Sequence, residues 1–204
     1  MNIQTENNIW ERISYLVCIT FFVILLFAAF RRNILWGDDI VLWRDVVKKS
    51  PYRARGHNNL GNAYNNKGQY DRAIENFNKA LALDPNYTHA YYNLGAAYGN
   101  KGQHDMVIES FNKAIALNPN DALAYYNLGT AYNNKGQHDR AIESFNKAIA
   151  LNPNDALAYN NLGTAYANKG DMGRAVSTFQ KACDMGSEDG CENLQAFRKA
   201  GRLG

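Results

Sequence analysis

The 204-residue sequence contains little cysteine, little proline and little net charge. Three cysteines are too few for a small disulfide-dense scaffold. Four prolines exclude a proline-rich linker and a collagen-like chain. A formal net charge of +3 is too small to indicate a nucleic-acid binder. Hydrophobic residues make up 46% of the chain, which argues against disorder. The composition is therefore that of a folded chain with one or two domains.

The most apolar stretch, Ile13 to Phe30, has eighteen residues and no charge. As a helix it would be roughly 27 Å long, close to the roughly 30 Å hydrocarbon core of a bilayer. Trp10 and Trp36 flank it, as is typical of a membrane interface. A cleaved signal peptide and a buried core helix are the alternatives, but residues 1–12 form a polar rather than basic tail and no clear cleavage site follows. We therefore predict a retained transmembrane helix over residues 13–30.

Four units of 34 residues follow. Units 88–121 and 122–155 are identical at 28 of 34 positions, and units 54–87 and 156–189 fit the same frame. The first half of each unit places Leu-Gly and a Tyr on one helical face and ends in a glycine suited to a left-handed cap. The second half carries an apolar stripe at i, i+4 and i+7. Because no unit can bury its stripes alone, we predict an all-α solenoid of stacked helix pairs.

The order Leu-Gly, Tyr, Gly, Ala, Phe, Ala and Pro within the units resembles the tetratricopeptide repeat over residues 54–189, with Val107 in place of the first Ala in one unit and no Pro in the last unit. The amino-acid sequence of the units is most similar to that of the repeats of O-GlcNAc transferase. This resemblance implies a right-handed superhelix of antiparallel helix pairs whose first helices line a concave groove. Residues 40–51 align with the second helix of a repeat, so we expect an N-terminal capping helix within residues 38–53.

The end of the last unit, residues 181–194, is similar to cysteine-rich relatives of these repeats, in which two cysteines eight residues apart are bridged. That similarity implies a disulfide between Cys183 and Cys191, which would attach a C-terminal capping helix and tail over residues 190–204. Two buried thiols are the alternative, because cytoplasmic thiols stay reduced.

The side of the membrane on which the repeats would lie is contested. Five basic residues between positions 31 and 50, against one in residues 1–12, favour the cytoplasm. A disulfide would instead favour an oxidising compartment, and long domains translocate largely regardless of flanking charge. The prediction is a single-pass protein of the cell membrane, with the repeats leaning towards the extracytoplasmic side.

Motifs for catalysis are missing: the sequence has no P-loop, no HExxH and no nucleophile elbow. His104 and His138 occupy the same position in neighbouring units, where stacking would separate them, so solvated histidines are the better interpretation than metal ligands. We expect no enzyme activity, cofactor, metal site or small-molecule substrate, and no nucleic-acid partner.

The expected groove contains one asparagine at the same position of every unit. A carboxamide offers a donor and an acceptor side by side, as a peptide main chain requires. The resemblance to O-GlcNAc transferase implies that these asparagines bind an extended peptide; the alternative is that they are merely solvated. This series is Asn59, Asn93, Asn127 and Asn161. Neighbouring groove positions add Asn58, Tyr92, Tyr126 and Asn160, and a second series is Asn66, Asn100, Asn134 and Asn168.

The predicted function is a scaffold that binds a protein or peptide partner in this groove. The basic clamp with which other tetratricopeptide domains hold a carboxylate is absent, since its positions carry Asn58, Leu123 and Asn127. A second hypothesis is an accessory, acceptor-presenting domain of a membrane glycosyltransferase system, because residues 34–61 resemble a segment of some multi-pass glycosyltransferases. A third is self-association of the nearly identical repeats.

Overall fold

The computed structural model describes residues 14–27 and 38–199, and within these ranges every regular element is an α-helix. Helix α1 covers residues 14–27. The helices that follow are α2 (Asp39–Lys49), α3 (Ala54–Asn66), α4 (Tyr70–Leu83), α5 (Thr88–Asn100), α6 (His104–Leu117), α7 (Ala122–Asn134), α8 (His138–Leu151), α9 (Ala156–Lys169), α10 (Met172–Asp184) and α11 (Glu188–Lys199).

From α2 to α11 each helix packs against the next one along the chain, and first helices of adjoining units also touch, as α3 does α5 and α7 does α9. Contacts between elements therefore stay within a unit or between neighbours, which is the property of a quasi-one-dimensional stack. The predicted all-α solenoid of helix pairs is confirmed.

A phenylalanine from each second helix occupies the centre of each unit. Phe145 is almost completely buried and packs in one cluster with Leu162 of the next unit. It lies against Gly129 of its own unit, where a Cβ atom would come within 2.8 Å of the Phe145 ring. The glycine beside the leucine therefore permits the second helix of the unit to approach closely. The equivalent phenylalanines are Phe77, Phe111 and Phe179.

The first helices end where the glycine pattern predicts. Gly136 has a φ of 72° and Gly170 a φ of 91°, in the left-handed region that favours glycine. At the start of the second helices, Asp71, Asp105 and Asp139 lie in the first turn, where a carboxylate interacts favourably with the helix dipole.

Salt bridges join neighbouring units at one edge of the stack. The carboxylate of Asp139 pairs with Lys169 of the next unit at 2.5 Å, and the interaction lowers the pKa of Asp139. Because these side chains are largely exposed, each bridge contributes little to stability. The bridges instead favour one alignment of each unit against the next, because each pair forms between the same two positions. The equivalent pairs are Asp71–Lys101 and Asp105–Lys135.

Both ends of the stack are covered by a single helix. At the N-terminal end, α2 begins at its cap Asp38 and packs Trp43 and Val47 onto the cluster that contains Phe77. At the C-terminal end, α11 buries Leu194 and places Phe197 5.5 Å from Phe179. The structure also joins Cys183 of α10 to Cys191 of α11 through their sulfur atoms.

The predicted localisation, a single-pass protein of the cell membrane with the repeats leaning towards the extracytoplasmic side, is corrected by the structure. Within the described ranges, none of the helices combines the length and apolarity needed to cross a membrane. Of the predicted span, residues 14–27 are described as helix, whereas residue 13 and residues 28–30 are not described. The membrane contact through Ile13 to Phe30 is therefore not shown. Residues 1–13, 28–37 and 200–204, with the flanking Trp10 and Trp36, lie outside the described residues.

Candidate functional site

The first asparagine series lies on the first helices, one residue before a buried leucine. Neighbouring positions on a helix differ by about 100°, so the leucine enters the core while the asparagine stands at its edge. All four asparagines are half-buried. We call this row the asparagine ladder; it consists of Asn59, Asn93, Asn127 and Asn161, with the additional member described below.

Ladder asparagines donate hydrogen bonds to the preceding unit. Asn93 donates from Nδ2 to Oδ1 of Asn58 at 2.9 Å. Asn161 donates from Nδ2 to the hydroxyl oxygen of Tyr126 at 2.7 Å. The acceptor is in both cases the residue before a ladder asparagine. The predicted neighbours Asn58 and Tyr126 therefore position the ladder, and Asn58 is itself buried rather than exposed on the surface.

A fifth ladder asparagine, Asn193 on α11, was missed by the sequence analysis. It precedes the buried Leu194 and donates from Nδ2 to Oδ1 of Asn160 at 2.9 Å. The Asn-Leu pair is the signal that could have identified it. Asn193 follows Asn161 by 32 residues rather than 34, because the last connection is shorter. A search at a strict spacing of 34 residues therefore misses it. The C-terminal capping helix thus extends the ladder by one step.

The row of hydrogen bonds is interrupted in its middle. Asn127 donates to the main-chain oxygen of Leu123, in its own helix, at 2.9 Å. The buried hydroxyl of Tyr92 makes no hydrogen bond of good geometry among the described residues, but it lies close enough to Asp121 to interact with its carboxylate. Burial, followed by the hydrogen-bonding and charge interaction with Asp121, raises the pKa of Tyr92. Tyr92 and Tyr126 therefore occupy equivalent positions with different hydrogen bonding.

The second asparagine series lies at the ends of the first helices and is exposed. Two members contact the preceding unit: Asn168 donates to Oδ1 of Asn133 at 3.3 Å, and Asn100 donates to Oδ1 of Asn65 at 3.5 Å. Asn133 also contacts Nδ1 of His138 at 3.0 Å. Asn65 and Asn133 were not predicted as site residues. The other members of the series are Asn66 and Asn134.

A cavity of about 450 Å³ lies between α5 and α7 and brings four predicted residues together. These are Tyr92, Asn93, Asn127 and Asn134. We call it the ladder cavity. Its floor includes Gly95 and Phe111, whose ring meets that of Tyr92 edge-on at 5.3 Å. Predicted residues on other units, such as Asn59 and Asn161, line the same face further along the stack.

A second cavity of about 660 Å³ lies where α5 and α7 begin. We call it the Asp121 cavity. Tyr92 lines both cavities and separates them. The other lining residues that matter below are Tyr87, His89, Asn118, Asp121 and Leu123.

The chemistry available on this face is hydrogen bonding to a neutral polar chain. Within the described residues, no N–H or O–H group donates a hydrogen bond to Oδ1 of the four asparagines Asn93, Asn127, Asn161 and Asn193. Each of these carboxamides uses one of its two N–H groups, so it retains an acceptor and a donor. The described residues also contain no cluster of three or more His, Cys, Asp or Glu side chains placed to hold a metal.

Family models match most of the repeat region. One model, described as a TPR repeat, matches residues 61–102 and 129–170. Models described as tetratricopeptide repeats match residues 89–121, 110–143 and 156–185. No curated protein gives a significant match to the chain.

Solved structures share both the fold and part of the sequence. A crystal structure of MamA is 37% identical, with a TM-score of 0.68 over 72% of this chain and 85% of the other. MamA from Desulfovibrio magneticus RS-1 is 28% identical, with a TM-score of 0.70 over 78% and 94%. A chain of the APC/C hetero-tetramer Cut9-Hcn1 is 26% identical, with a TM-score of 0.66 over 82% and 34%.

Proposed function

Because the chain belongs to the tetratricopeptide repeat family, we propose that it is a non-catalytic scaffold that binds an extended segment of a partner protein along the asparagine ladder. Affinity would come from many modest contacts spread over several units rather than from one deep pocket. The observation that carries the proposal is the row formed by Asn93, Asn127, Asn161 and Asn193, whose Oδ1 atoms accept no hydrogen bond among the described residues. At the N-terminal end of the row, Oδ1 of Asn59 accepts from Nδ2 of Asn58 at 3.4 Å.

The spacing of the ladder suits an extended chain. Neighbouring packed helices lie about 8–10 Å apart, and an extended chain advances about 3.3 Å per residue. One ladder asparagine therefore meets every third residue of a bound peptide. Each carboxamide can accept from a peptide N–H and donate to a peptide C=O. Recognition of this kind reads the main chain and depends only weakly on peptide sequence.

One comparison supports a partner-binding role, because a chain of similar fold is part of the APC/C hetero-tetramer Cut9-Hcn1. The resemblance of the repeats to those of O-GlcNAc transferase, and the peptide binding by asparagines that it implies, stay predictions from the sequence. The glycosyltransferase-accessory hypothesis uses the same face and stays a prediction, as does self-association; light scattering on the full chain tests the latter.

Removing ladder carboxamides should weaken peptide binding. Peptides are first selected from a random displayed library on the full chain, and their Kd is measured by fluorescence anisotropy. We expect the double variant Asn93→Ala, Asn127→Ala to lose roughly 1–2 kcal/mol per side chain, or about 5- to 30-fold in Kd each. Replacing single peptide amides by esters should weaken binding at every third position, since an ester lacks the N–H donor.

The matched control is the double variant Asn112→Ala, Asn146→Ala. These asparagines are exposed on the second helices of the same two units, so the chemistry removed is identical while the face differs. Circular dichroism checks that both variants fold. Equal affinity of ladder and control variants for the selected peptides would refute the ladder.

A further inference from the structure

The Asp121 cavity has an apolar wall and a polar end. Leu123, which lines this cavity, is 58% exposed and leaves its side chain available for contact. The rings of Tyr87 and His89 lie 5.8 Å apart at the same wall. Such a wall offers contacts to the methylene groups of a long side chain.

The polar end combines a carboxylate and a hydroxyl. Asp121 caps α7, accepting from the main-chain N–H of Ala124 at 3.2 Å. Throughout the described ranges, no Lys, Arg or His side chain pairs with Asp121. The buried hydroxyl of Tyr92 interacts with this carboxylate, and its oxygen accepts from no donor among the described residues. Both groups can accept hydrogen bonds from an entering cation.

The neighbouring unit shows what a satisfied version of this arrangement looks like. There Asp155 caps α9 through Ala158 at 3.1 Å, as Asp121 caps α7. The hydroxyl of Tyr126, however, accepts from Asn161. The unit that contains Tyr92 therefore differs from its neighbour in leaving a buried acceptor open, even though their sequences are nearly the same.

We infer that the Asp121 cavity binds a basic side chain, Arg or Lys, of the peptide that lies along the asparagine ladder. The aliphatic stem packs on Leu123, and the cationic head donates hydrogen bonds to Asp121 and to the hydroxyl oxygen of Tyr92. A planar guanidinium can also stack on the tyrosine ring. This inference rests on the proposed function and adds a side-chain preference to a surface that otherwise reads the main chain.

The position of Tyr92 makes the two interactions compatible. Because Tyr92 lines both cavities, a peptide held by Asn93 and Asn127 passes directly beside the Asp121 cavity. A single basic residue would then set the register of the peptide on the repeats. Binding without such a residue would allow the peptide to shift by one unit.

The test uses peptides selected on the full chain from a random displayed library. We expect one position enriched in Arg or Lys. Replacement of that residue by citrulline or norleucine should weaken binding to the unsubstituted protein by about tenfold, as expected for a charge-assisted hydrogen bond. The variant Asp121→Asn, which keeps a good helix cap, should bind the basic peptide about tenfold more weakly and should not distinguish it from the neutral peptide.

Asp155→Asn is the matched control, because it removes the same charge from the same cap one unit away. We expect it to change the Kd less than about twofold, since its charge lies roughly one Debye length from the cavity. Selected peptides without an enriched basic position, or equal losses in Asp121→Asn and Asp155→Asn, would overturn this inference and leave the ladder standing. A library that yields no binding peptide would overturn both proposals.

Discussion

The different hydrogen bonding of Tyr92 and Tyr126 predicts opposite effects of the same substitution. In Tyr92→Phe, a buried hydroxyl that makes no hydrogen bond of good geometry among the described residues, and whose one polar neighbour among them is the carboxylate of Asp121, is removed while the ring contact with Phe111 is kept. An unsatisfied buried polar group costs about 1–3 kcal/mol. We therefore expect Tyr92→Phe to raise the free energy of unfolding by about 1 kcal/mol, after allowance for partial access to water.

In Tyr126→Phe, the hydrogen bond from Asn161 is lost. The net value of such a bond is about 1 kcal/mol, so this variant should be destabilised by about that amount. For a chain of this size, each change corresponds to a Tm shift of roughly 2–4 °C. The two variants should therefore melt at clearly different temperatures on either side of the unsubstituted protein.

Thermal and urea unfolding followed by circular dichroism measure both variants under the same conditions. Tyr52→Phe serves as the control, because Tyr52 is 86% exposed and its hydroxyl stays in water. If Tyr92→Phe loses as much stability as Tyr126→Phe, the Tyr92 hydroxyl has a partner and the reasoning fails. If the Asp121 cavity binds a cation as inferred, the stabilised Tyr92→Phe variant should also bind basic peptides more weakly, which is a trade of function against stability.

Two further predictions concern packing and the C-terminal cap. Gly129→Ala should destabilise the protein by about 1–3 kcal/mol in urea unfolding, because the added Cβ would lie 2.8 Å from the Phe145 ring. The control Gly173→Ala should be neutral or stabilising, because a Cβ there meets nothing within 4 Å. Cys183→Ser should lower the free energy of unfolding by about 2–3 kcal/mol under oxidising conditions, because the disulfide closes a short loop with a sequence separation of 8; full alkylation of Cys183 and Cys191 in the native oxidised protein would show that the bridge does not form.

The stacked helix pairs were predictable because the same pattern of apolar and glycine positions recurs in all four units. A Leu-Gly pair beside a buried phenylalanine recurs in register, and the observed closeness of Gly129 to Phe145 follows from that pattern. The capping helix α2 was predicted by aligning residues 40–51 with the second helix of a repeat, and Trp43 takes the place of the phenylalanine.

The hydrogen bonding of the candidate site was not predictable from the same frame. Asn127 and Asn161 have nearly identical neighbours along the chain, yet one bonds within its own helix and the other bonds to the preceding unit. Two acceptors of similar energy lie within reach of each carboxamide, and residue type does not decide between them. Asn193 was not predicted as a ladder residue for a different reason, because the shorter last connection places it two residues earlier than the 34-residue spacing predicts.

The localisation to the cell membrane was predicted from the apolarity of residues 13–30 alone. Among the described residues, no helix has the length and apolarity that crossing a membrane requires.

The junctions between units have a consequence for how the gene can change. In each of the first three units, the aspartate in the first turn of the second helix pairs with a lysine at the same position of the following unit. These pairs are Asp71–Lys101, Asp105–Lys135 and Asp139–Lys169. Deletion of residues 88–121 would bring Asp71 opposite Lys135 and recreate an existing junction. Unequal recombination within the coding sequence can therefore shorten or lengthen the array by whole units without damaging either terminal helix.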